Sequence, residues 1–147
     1  MQILNLKKGD FQLTTDATQM NLTVIHDFLA NQSYWAKNIP FEIVKKAVEN
    51  SLNFGLFQGE IQVGYARVIT DYATMAYLAD VFVLPEYRGK GLSKWLMETI
   101  MNHPDLQGFR RWILLTQDAH ELYKQFGWKP VDNPALYMER WHPNRYI

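Results

Sequence analysis

The segment PEYRGKGLSKWL, Pro85 to Leu96, sets Gly89 and Gly91 among three cations, Arg88, Lys90 and Lys94, ahead of an amphipathic run. If a strand ends at Leu84 and a helix starts near Leu92, the loop between them faces free backbone N–H groups. Helix N-termini bind phosphates without any special side chain, and glycines let an anion approach the backbone closely. Neither standard nucleotide pattern is met, because GKGLSK lacks the third glycine of G-x-G-x-x-G and the spacing of G-x-x-x-x-G-K-[ST]. That disfavours a dinucleotide or a P-loop triphosphate, and a plain basic strand-to-helix turn fits the loop alone equally well. A second chemical residue is Asp80, which interrupts the apolar run YLADVFVL. By strand alternation it shares a face with Leu78 and Phe82. Burying a carboxylate unpaired is costly, so Asp80 is either hydrogen-bonded for structure or lines a cleft. Downstream, Asp118 reads as the N-cap of a short helix, and His120, which titrates near neutrality, sits on that helix with exposure expected.

The rest of the chain must position these groups. Hydrophobic residues fill 48% of 147 positions, enough for one core and too little for two, so residues 1–147 are expected to form a single domain. Fifteen Lys plus Arg balance fifteen Asp plus Glu, which argues against a nucleic-acid coat or an anionic membrane surface as partner. There is no cysteine, so disulfides, thiolate metal sites and a thioester on the enzyme are excluded. No apolar run of signal-peptide length opens the chain, and no segment approaches the roughly 18 apolar residues of a membrane span. A cytoplasmic protein is the simplest expectation.

Helical spacing predicts a first helix over Met20–Asn31 and a second from Pro40 to Asn50, with the aromatic loop SYWAKNI between them. Leu52 to Leu84 turns to β texture with turn signals at Gln58-Gly59 and near Asp71, which fits three antiparallel strands. Pro85 stops the third. A helical stripe from Leu92 to Ile100, a short buried-type strand at Arg111–Thr116 and a short helix closed by Gly127 follow. Two final strands are expected around Lys129–Val131 and Leu136–Trp141. The order ααβββαβαββ predicts an α/β (α+β) fold, a mixed, mostly antiparallel sheet with helices on both faces.

Read together, the neighbours of the glycine loop change its weight. DVFVLPEYRGKGLSKWLM resembles the cofactor segment of the GNAT superfamily of acyl-CoA-dependent N-acyltransferases, whose loop runs [Q/R]-x-x-G-x-[G/A], matched at Arg88, Gly91 and Ser93. DAHELYKQFGWKP is similar to that family's A-x-x-L-Y-x-x-x-G-F segment, at Ala119, Leu122, Tyr123, Gly127 and Trp128. Ser93 replaces the last small Gly or Ala, and Thr116 stands where many members have an Asn that bonds the pantetheine arm.

The resemblance implies a sheet splayed between the strand ending at Leu84 and the strand at Arg111–Thr116, with acetyl-CoA in the opening as acyl donor and no metal. It places the backbone of Val81, Phe82 and Val83 along the pantetheine, and the N–H groups of Arg88, Gly89, Lys90, Gly91, Leu92 and Ser93 around the pyrophosphate. Lys90 and Lys94 add charge there, and Thr116 offers a hydroxyl. Tyr123 matches the position that protonates the departing CoA thiolate, and Asp80 is the candidate base for the acceptor amine. With no Cys, the expected reaction is direct attack by an amine in a ternary complex. A non-catalytic acyl-CoA-binding module is the alternative. The acceptor is a small-molecule amine or a peptide or protein amine, met by Tyr34, Trp35, Arg67, Asp71 and Tyr72, and a homodimer through sheet edges or C-terminal strands is compatible with the family.

Overall fold

The computed structural model describes residues 2–146. Strands form where β-branched and aromatic residues concentrate. β1 (Asn5–Lys8), β2 (Phe11–Thr14), β3 (Leu52–Gln58), β4 (Ile61–Thr70), β5 (Met75–Val83) and β6 (Arg111–Leu114) make one sheet in that spatial order. Every pair is antiparallel except β5 with β6. The parallel pair requires a crossover, and α3 (Leu92–Asn102) supplies it.

The β3–β5 hairpins fall where Gln58-Gly59 and Asp71 predict them. Asp71 closes its turn itself: Oδ1 accepts from the Ala73 and Thr74 N–H groups, and Oδ2 from the Thr74 hydroxyl. The β1–β2 hairpin, by contrast, is absent from the sequence-based order. All four β1 residues are exposed, so the strand carries no inward-outward alternation, and its one local mark is the turn at Gly9, φ +59.

α1 (Leu22–Asp27) begins where Asn21 Oδ1 accepts from the Val24 N–H, a cap worth about 1 kcal/mol. The chain then widens into a π-helical turn over Phe28–Gln32, with the Ser33 N–H on the Phe28 carbonyl at 2.9 Å. The expected single helix over Met20–Asn31 is thus two pieces. α2 (Phe41–Glu49) starts after Pro40, which stands at the cap rather than inside the helix.

These helices cover one sheet face, packing Ile25, Phe28, Leu29, Val44 and Val48 against Tyr65 and Phe82. On the other face α3 buries Leu92, Trp95, Leu96, Met97 and Ile100 against Phe54, Leu56, Ala66, Val68 and Leu78. α4 (His120–Lys124) follows β6, and Gly127 at φ +87 ends the segment after it.

Two expectations fail. Residues 129–146 hold no strand, only a short 3-10 helix at Pro134–Leu136 and a turn over 143–146, because Pro130, Pro134 and Pro143 withdraw N–H groups from any ladder. β6, expected as a buried-type strand to Thr116, stops at Leu114 with Arg111 exposed and the rest half-buried, since it is the last strand of the sheet. Among the described residues no helix is long and apolar enough to cross a membrane.

Candidate active site

The geometry that matters lies where β5 leaves β6. The parallel register ends with Leu78 opposite Leu114, so Ala79 to Val83 keep β4 on one side and have no strand on the other. Within that free stretch Tyr65 pairs with Phe82 and Arg67 with Ala79, so Asp80 and Val81 together face Ala66. This is a β-bulge, and Asp80 sits in it at φ +54, a left-handed conformation that costs a non-glycine residue on the order of 1 kcal/mol or more. The bulge overturns the expected alternation. Leu78 packs on the α3 side, whereas Phe82 stacks on Phe28 across the opposite face at 4.0 Å, so Asp80 does not share one face with both.

Two donors hold the bulged carboxylate. Arg67 Nε donates to Asp80 Oδ2 at 2.6 Å, and Trp35 Nε1 donates to Oδ1 at 2.8 Å. The side chains of the ion pair are only 18% and 11% exposed, so solvent weakens it less than a surface pair. Arg67 is itself braced by donating from Nη1 to the Ser51 hydroxyl at 3.2 Å. Asp80 therefore has a fixed orientation in an otherwise strained position.

Across the opening stands Tyr123, buried on α4. Burial foremost, then the neighbouring Tyr34 and Asp118, push its pKa up to about 12. A phenol in that environment keeps its proton at neutral pH. Its ring packs against Trp128 at 6.1 Å, and Trp128 rests edge-on against Trp112 of β6 at 5.7 Å. Trp128 also donates its backbone N–H to the Tyr123 carbonyl at 3.3 Å. The acid candidate is thus clamped by aromatic packing that runs from Trp128 of its own segment to Trp112 of β6.

A cleft of about 980 Å³ gathers Asp80, Val81, Thr116 and Tyr123 with Tyr34, Trp35 and Arg67. Asp118 lines it too and does not cap α4. The residue before that helix is Ala119, whose N–H donates instead to the Thr116 hydroxyl at 3.1 Å. Thr116 sits three residues before Ala119 and closes a tight turn there, which frees Asp118 to face the cleft. The Thr116 hydroxyl keeps its own proton to donate. His120 is exposed and, with Asp71 and Tyr72, lies outside the lining.

The glycine loop stands beside this cleft, and Phe82, Val83 and Arg88 to Lys94 are not among its lining residues. Does the loop fit a pyrophosphate? Gly89 and Gly91 adopt φ +80 and +78, and a Cβ on either would meet nothing within 4 Å, so the backbone borders open space. Gly91 stands at the N-terminus of α3, where no side chain bonds the first-turn N–H groups, and exposed Lys90 and Lys94 flank it. The fit is good from Gly89 onward. Arg88 differs, since its N–H is spent on the Pro85 carbonyl at 3.3 Å and its Nε donates to the Val83 carbonyl at 3.0 Å. Arg88 fastens the loop to the end of β5, which leaves Val81 and Phe82 as the freer backbone on that edge.

Residues 50–130 match the family model described as an acetyltransferase (GNAT) domain, a span that includes the bulge, the glycine loop and Tyr123. A crystal structure from Xanthomonas campestris pv. campestris, described as belonging to the GNAT family, is 50% identical with a TM-score of 0.91, covering 92% of this chain and 96% of that one. A Gibberella zeae protein named provisionally as an acetyltransferase is 32% identical over 85% of this chain and 82% of its own length. A Sus scrofa protein named thialysine N-epsilon-acetyltransferase is 30% identical over 60% of this chain and 55% of its own. With a family model across more than half its length and that fold around the splayed strands, the chain belongs to the GNAT family of acetyltransferases.

Proposed function

We propose that this protein is an N-acetyltransferase that moves an acetyl group from acetyl-CoA to an amine acceptor in a ternary complex, with residues 1–147 acting as one catalytic domain in the cytoplasm. The observation that carries the reading is the pairing, in one cleft at the splay, of a buried protonated phenol, Tyr123, with a fixed carboxylate, Asp80.

Acetyl-CoA, when bound, supplies an activated thioester. The N–H groups of Gly89 to Ser93 would hold its pyrophosphate, helped by Lys90 and Lys94. The unpaired edge at Val81 and Phe82 and the Thr116 hydroxyl would hold the arm. Tyr123 donates its proton to the departing sulfur, and Asp80 receives the proton the amine loses, directly or through water. Arg67 and Trp35 keep Asp80 from turning away from the acceptor. A thiol on the enzyme plays no part, because the chain has no cysteine.

One feature favours the alternative of a non-catalytic acyl-CoA module, namely that both Asp80 oxygens already accept hydrogen bonds. A two-stage experiment separates the readings. Melting with acetyl-CoA, CoA, ATP or NAD should rise only with the CoA species, because a ligand of the folded state stabilises it. A panel of small amines, peptides and a lysine-like side-chain amine, suggested by the porcine relative's name, is then scored by released CoA thiol against a protein that contributes none. Turnover with any acceptor supports the enzyme. CoA binding without turnover across the panel supports the module, and no shift with CoA sinks both.

A further inference from the structure

The loop between α1 and α2 does more than border the cleft. Trp35 donates from Nε1 to Asp80 on β5 at 2.8 Å, while its neighbour Tyr34 accepts at Oη from the Gln117 N–H, just past β6, at 2.7 Å. Adjacent residues of one loop therefore hold opposite walls of the opening, directly beyond the last paired residues, Leu78 and Leu114.

The span is rigid for stated reasons. The two rings meet edge to face at 5.1 Å, and Trp35 leans on Phe28, which stacks on Phe82 of β5. At the base of the loop, Ser33 donates its hydroxyl to the Leu29 carbonyl at 2.6 Å and accepts from the Ala36 N–H at 3.1 Å. The Asn38 N–H closes back onto the Ala30 carbonyl at 3.0 Å. Both rings remain partly open to solvent, at 49% and 42% exposure, so the core does not explain their placement.

We propose that Tyr34 and Trp35 form a bridge across the splayed strands and act as positioning residues, one fixing Asp80 and the other fixing the Thr116–Ala119 turn that leads into Tyr123. The inference rests on the acetyl-transfer reading for its kinetic consequence, but the bridge itself has readouts that need no turnover. The two proton-handling groups sit on separate elements, Asp80 on β5 and Tyr123 on α4 beyond β6, and misplacement by a fraction of a bond length is costly to a transfer step. Of the proposed acetyl-CoA contacts only the Thr116 hydroxyl lies on the turn that Tyr34 fixes, the glycine loop and the β5 edge supplying the rest, so affinity should change little.

The test uses Tyr34→Phe, which keeps the ring and removes its hydroxyl, Trp35→Phe, which keeps an aromatic ring but loses the indole N–H, and the double variant. By NMR, Tyr34→Phe should speed exchange of the Gln117 amide about tenfold, and Asp80→Asn should move the Trp35 indole N–H resonance while leaving those of Trp95 and Trp112 in place. In steady state, each single variant should lower kcat about tenfold with the Kd for acetyl-CoA within about twofold, and the double variant should cost no more than the worse single one, as parts of one device do. Unchanged Gln117 exchange, or single-variant losses that multiply in the double variant, would overturn the bridge. If the wild type binds acetyl-CoA and transfers to no amine, the acetyltransferase reading fails, while the two NMR readouts still decide the bridge.

Discussion

Tyr123 is the proposed acid of the transfer. An exposed phenol would begin to ionise near pH 10, but burial, aided by Tyr34 and Asp118, raises this one to about 12. In the proposed reaction the proton for the leaving sulfur is therefore present throughout the working range, and turnover should show no alkaline loss from Tyr123 below about pH 11. Removing the hydroxyl is the decisive change. Tyr123→Phe keeps the ring against Trp128 and should lower kcat about 100-fold or more while the Kd for acetyl-CoA stays within about threefold. Equal losses in both, measured by thiol release and by thermal shift, would mean that Tyr123 binds rather than donates. Asp80 differs in kind, for its position depends on Arg67 and Trp35, which reach it from β4 and from the loop between α1 and α2.

Among the elements, the glycine loop and strand β4 need glycine for opposite reasons. At Gly91 the conformation needs glycine, yet no atom lies within 4 Å of where a Cβ would sit. Gly91→Ala should thus cost only the left-handed penalty, about 1–2 kcal/mol of stability, and a far larger share of CoA affinity if a pyrophosphate fills that space. Gly64→Ala is the contrasting case. Its Cβ would fall 2.8 Å from Leu56 Cδ1 and 3.0 Å from the Phe82 carbonyl, so melting should drop sharply before any ligand is added. Comparing melting with and without CoA for the two variants separates a ligand cradle from a packing requirement; an unaltered CoA shift in Gly91→Ala would remove the loop from the site. Elements with strong periodicity or a breaker were legible in the sequence, among them α2, α3, the β3–β5 hairpins and the stop at Pro85. What could not be read depends on pairing between distant segments. β1 is exposed throughout, the bulge leaves no local mark at Asp80, and the Trp35–Asp80 bond joins residues 45 apart. Asp118 carried a genuine capping signal, but Thr116 closes the turn first.

At the scale of the whole molecule, stability and site are carried by different parts of the chain. His103 ends α3 inside the core, 2% exposed, with Nδ1 accepting from the Asp105 N–H and its ring edge-on to Phe54. Burial pushes its pKa below 6.5, so the unfolded chain binds this proton more readily than the folded one. Its contribution is complete above about pH 6.5 and declines as pH falls through the lowered folded value. Melting should therefore be flat from about pH 8 to 7 and drop as pH falls below about 6.5, with His103→Gln flattening that slope. Residues 129–146 present the converse. They add no strand, and Leu136, Met138 and Trp141 stand 72%, 98% and 71% exposed, yet Glu139, Trp141, His142 and Tyr146 line the cleft beside Asp80. Deleting the chain from Lys129 onward removes the Arg111–Tyr137 cation–π contact, worth about 0.5–1 kcal/mol, and should lower melting by only a few degrees. The same deletion strips one wall from the cleft; if the acceptor binds against that wall, as we propose, KM for the amine should rise about tenfold or more, while the Kd for acetyl-CoA, whose proposed contacts lie on the glycine loop and β5, stays within about twofold. A parallel loss of acetyl-CoA affinity would show instead that the tail supports the donor half, and an unchanged KM would show that the acceptor is bound by the loop between α1 and α2 alone.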